Sequence, residues 1–308
     1  MQPGSSILRD LLPHLPAVRA VARRNGFAAA AAELGMSPSA VSHAIRAVET
    51  RLGTPLFART TRSVALTEAG AALLATLEPA LRNIGDALEQ AHSAQGRVTG
   101  VLRLNVPRVS LPMAIAPLLP ELARRHPELV VEIVSDDALT DIVAAGFDAG
   151  VRVGEMIAQD MVAVRLTPPF RAVLVASPEY LAAHGEPASV AGLAAHNCIG
   201  YRLLASGALY AWELQDDGRD IAVDVAGSVR LTDPLFARDL ALAGVGIAYL
   251  FEPLVAADLQ ARRLRRVLPD AAIQEPGLFL YFPRGAAEAP KLRAFIEVAR
   301  ERLARAPE

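Results

Sequence analysis

The chain has 308 residues, 52% hydrophobic and 21% charged, which is a globular composition and excludes the disordered and fibrous classes. This length suits two or three domains. One cysteine, Cys198, excludes an intramolecular disulfide framework and fits a reducing compartment. We find no secretory leader, and the longest uncharged apolar stretch (240–251) is too short to span a bilayer, so the sequence predicts a cytoplasmic protein without a membrane partner.

Charge is distributed unevenly along the chain. The net charge is −2, yet residues 1–70 contain eight arginines and only four acidic residues, so the rest of the chain is acidic. A basic N-terminal segment on an acidic body indicates a module that binds a polyanion. An excess of this size is also ordinary in a small domain.

Residues 27–53 contain the pattern of two short helices joined by a tight turn. The stretch 27–34 is strongly helix-forming and is followed by Gly35. A second helix is predicted to start with Ser37 as its N-cap and Pro38 in its first turn, and to end at Gly53. Its apolar positions recur at helical spacing: Val41, Ile45, Val48 and Leu52. The pattern is that of a helix-turn-helix.

The opposite side of this second helix is polar. It presents Ser39, Ser42, His43 and Arg46 behind the starting residues Ser37 and Pro38. In a helix-turn-helix the second helix enters the DNA major groove, where hydroxyls permit close approach and cationic side chains donate to bases or phosphates. All six residues are therefore candidate DNA contacts. The alternative is a surface helix with a solvated polar face.

A short hairpin is predicted directly after this helix. Residues 56–67 read as two strands around a basic, hydroxyl-rich tip. The tip residues are Arg59, Thr60, Thr61 and Arg62. Such a hairpin beside a recognition helix acts as a wing that reaches phosphates or an adjacent groove, so these four residues are also candidate DNA contacts.

Residues 27–70 together resemble the winged helix-turn-helix of the LysR-type transcriptional regulators. The matching features are Phe27, Ala31–Ala32, Leu34, Ser37, AVS at 40–42, Ile45, Glu49, Leu52–Gly53, LF at 56–57, RTTR at 59–62 and LTEAG at 66–70. The resemblance implies a regulator whose dimer reads an inverted repeat in double-stranded DNA, with two dimers forming a tetramer. It also implies a small-molecule effector and names RNA polymerase as a candidate partner.

A long helix is predicted to connect the DNA-binding domain (1–66) to the rest of the chain. It spans residues 67–92, with Thr67 as its cap, and a hinge follows at 93–100. Apolar residues recur along it with heptad spacing: Leu74, Leu77, Leu81, Ile84, Leu88 and Ala91. This spacing predicts a homodimer. Packing onto the protein's own body is the alternative.

Residues 101–308 alternate between strand and helix patterns. Strands are predicted at 101–106, 129–134, 149–153 and 172–176, and helices at 111–126, 138–146 and 178–184. We therefore expect an α/β body with mostly parallel sheets. The predicted fold class is α+β multidomain: a helix-rich winged head, a long linker helix and an α/β effector domain of two subdomains. The resemblance implies a periplasmic-binding-protein-like arrangement, with subdomain I at about 101–168 and 270–308 and subdomain II at about 169–269.

The predicted effector site lies where strands end and helices begin, since ligands of α/β sheets bind there. The resemblance assigns Ser110, Ser135 and Arg152 to the cleft side of subdomain I, and Tyr201, Thr232 and Asp233 to that of subdomain II. Hydroxyls, helix N-termini and one arginine suit a small organic acid. The serines and Asp233 are equally explained as helix caps, and Arg152 as a structural ion pair.

Other chemistries find little support in the sequence. The six histidines are scattered without metal-ligand spacing, and we expect no metal, cofactor or catalytic residue. His196 near Cys198 lacks a third member for a nucleophilic triad. The alternative function is an α/β enzyme or solute-binding domain with an N-terminal protein-interaction module, and steep salt dependence of DNA binding would argue against it.

Overall fold

The computed structural model describes residues 9–59, 64–93, 97–138, 140–154, 157 and 160–305. The chain forms two compact units that divide after Leu88. We call the first unit the head and the second unit the body. No described helix is both long enough and apolar enough to cross a membrane.

The described residues contain the following helices and strands. The helices are α1 (Leu15–Arg24), α2 (Phe27–Leu34), α3 (Pro38–Leu52), α4 (Glu68–Ser93), α5 (Leu119–Arg125), α6 (Pro178–His184), α7 (Pro234–Leu242), α8 (Glu252–Gln260) and α9 (Pro290–Arg305). The strands are β1 (Phe57–Arg59), β2 (Val64–Leu66), β3 (Gly100–Val106), β4 (Leu129–Ser135), β5 (Ala149–Val153), β6 (Met161–Arg165), β7 (Phe170–Ala176), β8 (Gly200–Tyr201), β9 (Trp212–Asp216), β10 (Arg219–Val223), β11 (Arg230–Leu231), β12 (Ala248–Phe251), β13 (Arg265–Val267), β14 (Ile273–Glu275) and β15 (Leu278–Pro283).

The helix-turn-helix forms as the capping pattern predicts. The Ser37 hydroxyl accepts a hydrogen bond from Ala40 N at 3.2 Å, which satisfies one of the free amides at the start of α3. At the other end Gly53 adopts φ +70°, a left-handed conformation that ends the helix. Val41, Ile45 and Val48 are fully buried, in one core with α1 and α2. The predicted start and end of this helix are confirmed, and so is its apolar face except for Leu52, which is 41% exposed.

A carboxylate of α3 fixes the wing hairpin in place. Glu49 Oε1 accepts hydrogen bonds from the amides of Leu56 and Phe57 at 2.9 and 3.3 Å. Strand β1 then pairs antiparallel with β2, and the Phe57 ring packs edge-on against Phe27 with centroids 6.3 Å apart. These contacts couple the first wing strand to both helices of the helix-turn-helix.

The start of α4 is locked onto the wing by Thr67 and Gly70. The Thr67 hydroxyl accepts from Gly70 N at 3.0 Å, as expected of a cap, and donates to Pro55 O at 2.8 Å. Gly70 has no side chain, and the helix backbone presses against Leu56 so closely that a Cβ would lie 2.1 Å from Leu56 O. Only glycine fits here without moving the backbone.

We expect Gly70→Ala to destabilise the head by about 1–3 kcal/mol, because the new methyl group overpacks a backbone contact. Gly85→Ala is the matched control. It lies in the same helix with no atom within 4 Å of the added methyl, and alanine there raises stability by about 0.5–1 kcal/mol through helix propensity. Calorimetry of the full chain compares the two variants, and similar transition temperatures would contradict this packing argument.

The heptad residues of α4 divide between two roles. Leu74 and Leu77 are 8% and 6% exposed and belong to the head's own core, with Leu81 packed against it. The first part of the pattern therefore serves internal packing of the head, rather than the packing onto the body that was the alternative. Ile84 is 49% exposed and remains available to a partner helix. The side chains of Leu88 and Ala91 lie outside the described residues.

The body contains two main sheets, each with its own core. The first sheet has the order β4-β3-β5-β15-β6, and the second places β12, β13 and β14 against β7. Only β3 with β4 and with β5 pair in parallel in these sheets; the other pairings described are antiparallel. The expectation of mostly parallel sheets is wrong, because β15 runs antiparallel to β5 and β6, and β12, β13 and β14 run antiparallel to β7.

The predicted body helices have mixed outcomes. The segment 178–184 is helical as predicted, and Ser177 accepts from Tyr180 N at 3.2 Å to cap it. The segment 111–126 divides into a π-helical turn, Leu111–Ile115, and α5. The described residues of 138–146 form turns, so the helix predicted there is wrong.

Two neighbouring chain segments, Leu166–Thr167 and Gly277–Leu278, connect the subdomains and are hydrogen-bonded to each other. Leu166 N donates to Leu278 O at 2.8 Å, and Leu278 N donates to the Thr167 hydroxyl at 2.9 Å. Gly277 adopts φ +101°, which favours glycine. Strand β14 pairs with β7, so residues 273–275 lie in the second sheet, and the subdomain boundary at about 269/270 stays a prediction.

Candidate DNA-binding and effector sites

The polar face of α3 presents the side chains that the sequence selected. Pro38, Ser39, His43 and Arg46 are exposed and Ser42 is half-buried. Neither His43 nor Arg46 forms an ion pair with another described residue. These side chains are free to meet a ligand on this face.

Ser37, the N-cap residue just before α3, has a different role from the serines of the polar face. Its hydroxyl is used for capping and lies 2.9 Å from the Ser39 hydroxyl, so Ser37 orients the helix start. At the wing, the side chain of Arg59 and residues Thr60, Thr61 and Arg62 lie outside the described residues. Their contact with DNA stays a prediction.

Two described carboxylates of the helix-turn-helix, those of Glu33 and Glu49, form contacts within the protein. Arg24 donates to Glu33 at 2.6 Å and lowers the pKa of that carboxyl, with Arg23 adding a weaker attraction. Glu49 binds the wing backbone. Both carboxylates are thereby engaged by protein groups, and Arg46 has no ion-pair partner among the described residues, which suits the face to a polyanion.

The body contains a cavity of about 400 Å³ lined by both subdomains. Its charged lining residues are Asp137, Arg152, Glu213 and Glu275, and its aromatic ones are Tyr201, Tyr210, Trp212, Tyr249 and Phe251. The remaining lining is aliphatic or proline. An apolar cavity of this size with a few polar groups is typical of a small-molecule site.

Arg152 lines the cavity but is already hydrogen-bonded to the protein. It is 3% exposed, and its Nη1 donates to Val151 O at 2.7 Å. Its Nη2 donates to Asn105 Oδ1 at 2.9 Å and to Ala138 O at 2.7 Å. Only Nε, buried, has no hydrogen-bond partner among the described residues. Most of its capacity for a bidentate carboxylate contact is therefore used.

An ion pair joins the two subdomains beside the cavity. Arg108 of subdomain I donates from Nη1 to Asp233 Oδ2 at 3.0 Å, and its backbone amide donates to Asp137 Oδ1 at 2.9 Å. Asp233 also caps α7 by accepting from Leu235 N at 2.9 Å. Burial raises the pKa of Asp137, against the lowering effect of the Arg108 contacts.

The six predicted effector residues do not form one site. Arg152 and Tyr201 line the cavity. Asp233 lies beside it as a cap and ion-pair partner, whereas half-buried Thr232 is not part of the lining. Ser110 is fully buried and Ser135 is exposed at the end of β4, and neither lines the cavity. The structure does not bring Ser110, Ser135 and Thr232 into the cavity lining, so their assignment to the effector site stays a prediction.

Sequence reasoning missed the aromatic side of the cavity. Trp212 and Tyr249 stack with ring centroids 5.8 Å apart, and Tyr210 stacks on Tyr249 at 6.3 Å. Burial raises the pKa of Tyr201 to about 12, with Asp137 adding to the effect, so its phenol stays protonated at neutral pH. Alternation in β9, which places Trp212 and Leu214 inward, was the signal available in the sequence.

The described residues offer no alternative chemical centre. They contain no group of three metal-binding side chains. Burial raises the pKa of the Cys198 thiol to about 11, and His196 contacts the Tyr180 hydroxyl at 3.2 Å. A thiol held protonated in this way is a buried structural residue rather than a nucleophile.

A winged helix-turn-helix joined to a two-subdomain body with a ligand-sized cavity defines a DNA-binding regulator with an effector-binding domain. Comparison with known families agrees. The family described as "Bacterial regulatory helix-turn-helix protein, lysR family" matches residues 12–71, and "LysR substrate binding domain" matches residues 95–304. This chain belongs to the LysR family of transcriptional regulators, and it is not an enzyme.

Individual relatives cover nearly the whole chain. The uncharacterized regulator YcaN of Escherichia coli (strain K12) is 38% identical over 278 residues, which is 90% of this chain and 91% of that protein. The regulator PgrR of the same organism is 35% identical over 94% of this chain and 97% of its own. The solved structure of CrgA from Neisseria meningitidis aligns with TM-score 0.61 at 27% identity, covering 95% of this chain and 99% of that one.

Proposed function

We propose that this protein binds an inverted repeat in double-stranded DNA through two copies of α3 and its wing. The observation that carries the proposal is the polar face of Ser39, Ser42, His43 and Arg46, in which neither His43 nor Arg46 forms an ion pair with a described residue. A helix with this face reads base edges in the major groove. Such a regulator acts on the chromosome, so the cytoplasm is its compartment.

The proposed assembly is a dimer formed through α4, with two dimers joining as a tetramer. The exposed Ile84 supports a contact along the later part of this helix, since the earlier leucines are used by the head core. Two heads then meet two half-sites of one repeat, as the symmetry of a dimer requires. Contact with RNA polymerase at the promoter is part of the same proposal.

The proposed regulatory ligand is a small molecule bound in the cavity between the subdomains. The paired crossovers at Leu166–Thr167 and Gly277–Leu278 provide a hinge, and the Arg108–Asp233 ion pair bridges the cleft. A ligand that binds one cleft arrangement better shifts the population toward it. We propose that this shift changes the relative placement of the DNA-binding heads.

The test is a gel shift on the DNA that flanks this protein's own gene, at two salt concentrations. A sequence-selective complex that weakens steeply with salt is expected, because each phosphate contact releases counterions with a slope of about −0.9 per contact. A random duplex of equal length is the control. Absence of any complex at low salt with a well-folded dimer would contradict the proposal.

A further inference from the structure

The cavity is poorly suited to the small organic acid that the sequence predicted. Its charged lining residues are the three acidic residues Asp137, Glu213 and Glu275 and the single cation Arg152. That guanidinium already donates three hydrogen bonds to the protein. An anionic head group would therefore meet like charges in a low-dielectric site without a free bidentate partner, which is unfavourable.

Asp137 offers an acceptor that the protein leaves unused. Its side chain is 8% exposed, with Oδ1 bound to the Arg108 amide at 2.9 Å. Its Oδ2 is buried and has no hydrogen-bond partner among the described residues; Arg108 Nε lies 3.9 Å away. An unsatisfied buried acceptor is costly, so a ligand that donates a hydrogen bond to it gains affinity. The hinge between the subdomains gives the freedom for that contact to form.

The rest of the cavity lining is suited to an apolar portion of the ligand. Trp212, Tyr249 and Tyr210 form a stacked row, and Phe251 adds a fourth ring to the lining. Flat or aliphatic groups pack well against such surfaces, and aromatic groups gain further from ring stacking. The polar and apolar parts of the lining thus select for an amphipathic molecule.

We propose that the effector combines an apolar portion with a polar group that donates a hydrogen bond to Asp137. This polar group is one such as a carboxamide or an amine, rather than a carboxylate. This assignment rests on the proposed function, because it identifies the regulatory ligand with the occupant of this cavity. The carboxylate of Asp137 selects for the hydrogen-bond donor of the ligand, and the stacked rings around Trp212 select for its apolar portion.

Trp212 allows binding to be measured directly. It is the only tryptophan of the chain and it lines the cavity. The probes are 3-phenylpropanamide, 3-phenylpropylamine and 3-phenylpropanoate, which share the phenyl group and its carbon chain and differ in the polar group. Titrated into the full-length protein at pH 7.5, the amide or the amine should bind at least about tenfold more tightly than the carboxylate. Comparison of the amide with the amine distinguishes a neutral from a cationic polar group on the ligand.

Asp137→Asn should reverse this preference. The Asn oxygen keeps the bond from the Arg108 amide, so its NH₂ takes the place of the unused Oδ2 and becomes a donor toward the ligand. We expect the carboxylate to bind about tenfold or more tightly than in the unsubstituted protein and the amide to weaken. Asp136→Asn removes one charge from the neighbouring residue, which does not line the cavity, and should leave the order unchanged.

The affinity of the amide should also depend on pH. Burial raises the pKa of Asp137, and the charged groups around it are Arg108, Arg152 and Asp233, with the Tyr201 phenol nearby. As the pH falls through this raised pKa, the carboxyl gains a proton and stops being a pure acceptor, so the affinity for the amide, which does not titrate, falls. In Asp137→Asn that pH dependence should disappear.

Several outcomes would overturn the proposal. Tighter binding of the carboxylate to the unsubstituted protein would do so, as would an equal change of preference in Asp136→Asn and Asp137→Asn. Failure of all three probes to change Trp212 fluorescence at millimolar concentration would do so too. A gel shift on the same preparations separates this from the proposed function, because a protein that binds DNA with steep salt dependence keeps that function whatever its cavity prefers.

Discussion

Replacing Arg46 with alanine is expected to weaken binding to the specific duplex about ten- to a hundredfold, the cost of one good base contact or a strong phosphate contact. Arg46 is exposed on the same side of α3 as Ser42 and His43, and no described residue neutralises it. If it contacts phosphate, the slope of log affinity against log salt should also fall by about 0.9.

Arg51→Ala is the matched control for that experiment. Arg51 is also an exposed cation on the same helix, but it lies near the C-terminal end and away from the face formed by Ser39, Ser42 and His43. Its removal should change specific binding by less than about threefold, as for an ordinary surface charge. Equal losses for the two variants would show that α3 binds DNA only through its overall charge.

The neutral part of the face is tested alongside. Ser42→Ala and His43→Ala should change the preference among sequences, whereas Arg62→Ala should weaken binding to all duplexes alike. Electrophoretic competition between specific and random duplexes measures both effects. A loss of the same size on both duplexes for Ser42→Ala and His43→Ala would contradict the base-reading role.

Asp148→Leu is expected to destabilise the body by about 3–5 kcal/mol, because it removes the carboxylate that pairs with the buried ammonium of Lys291. Lys291 Nζ lies 3.0 Å from Asp148 Oδ1, and the two side chains are 7% and 8% exposed. Asp148 also accepts from the Arg103 amide at 2.7 Å. The measurement is urea unfolding of the full chain followed by circular dichroism.

Two further variants separate the buried charge from general disruption. Asp148→Leu combined with Lys291→Met removes both charges and should recover a large part of the loss. Glu132→Leu breaks the more exposed pair with Arg103, at 2.8 Å, and should cost about 0–1 kcal/mol. If Asp148→Leu is as mild as Glu132→Leu, the buried pair is hydrated rather than enclosed.

Local chemistry explains why the head was predictable from sequence. The capping bonds of Ser37, Gly53 and Thr67 reach atoms within a few residues, so their capping roles follow from the residue type and its neighbours. The apolar stripe of α3 likewise reports one face of one helix. What the pattern could not reveal is the second use of Glu49, whose partners lie seven and eight residues away across a turn.

The effector site was harder because it depends on contacts between distant segments. The prediction selected Ser135, at the end of a strand, and passed over Asp137 two residues later, which lines the cavity. Which of the two faces the cleft is decided by how β4 ends and by the Arg108 amide from another loop. The opposite wall, with Trp212 and Tyr249, comes from strands β9 and β12, whose proximity no local pattern records.

The buried position of Lys291 has a consequence for the surface chemistry of the whole chain. It is the only lysine, so every other side-chain cation besides histidine is an arginine. A guanidinium stays protonated above pH 12, whereas exposed amines lose their protons near pH 10. Electrostatic attraction to DNA should therefore persist into alkaline solution, and reagents that acylate lysine side chains should leave the DNA-binding surface unmodified.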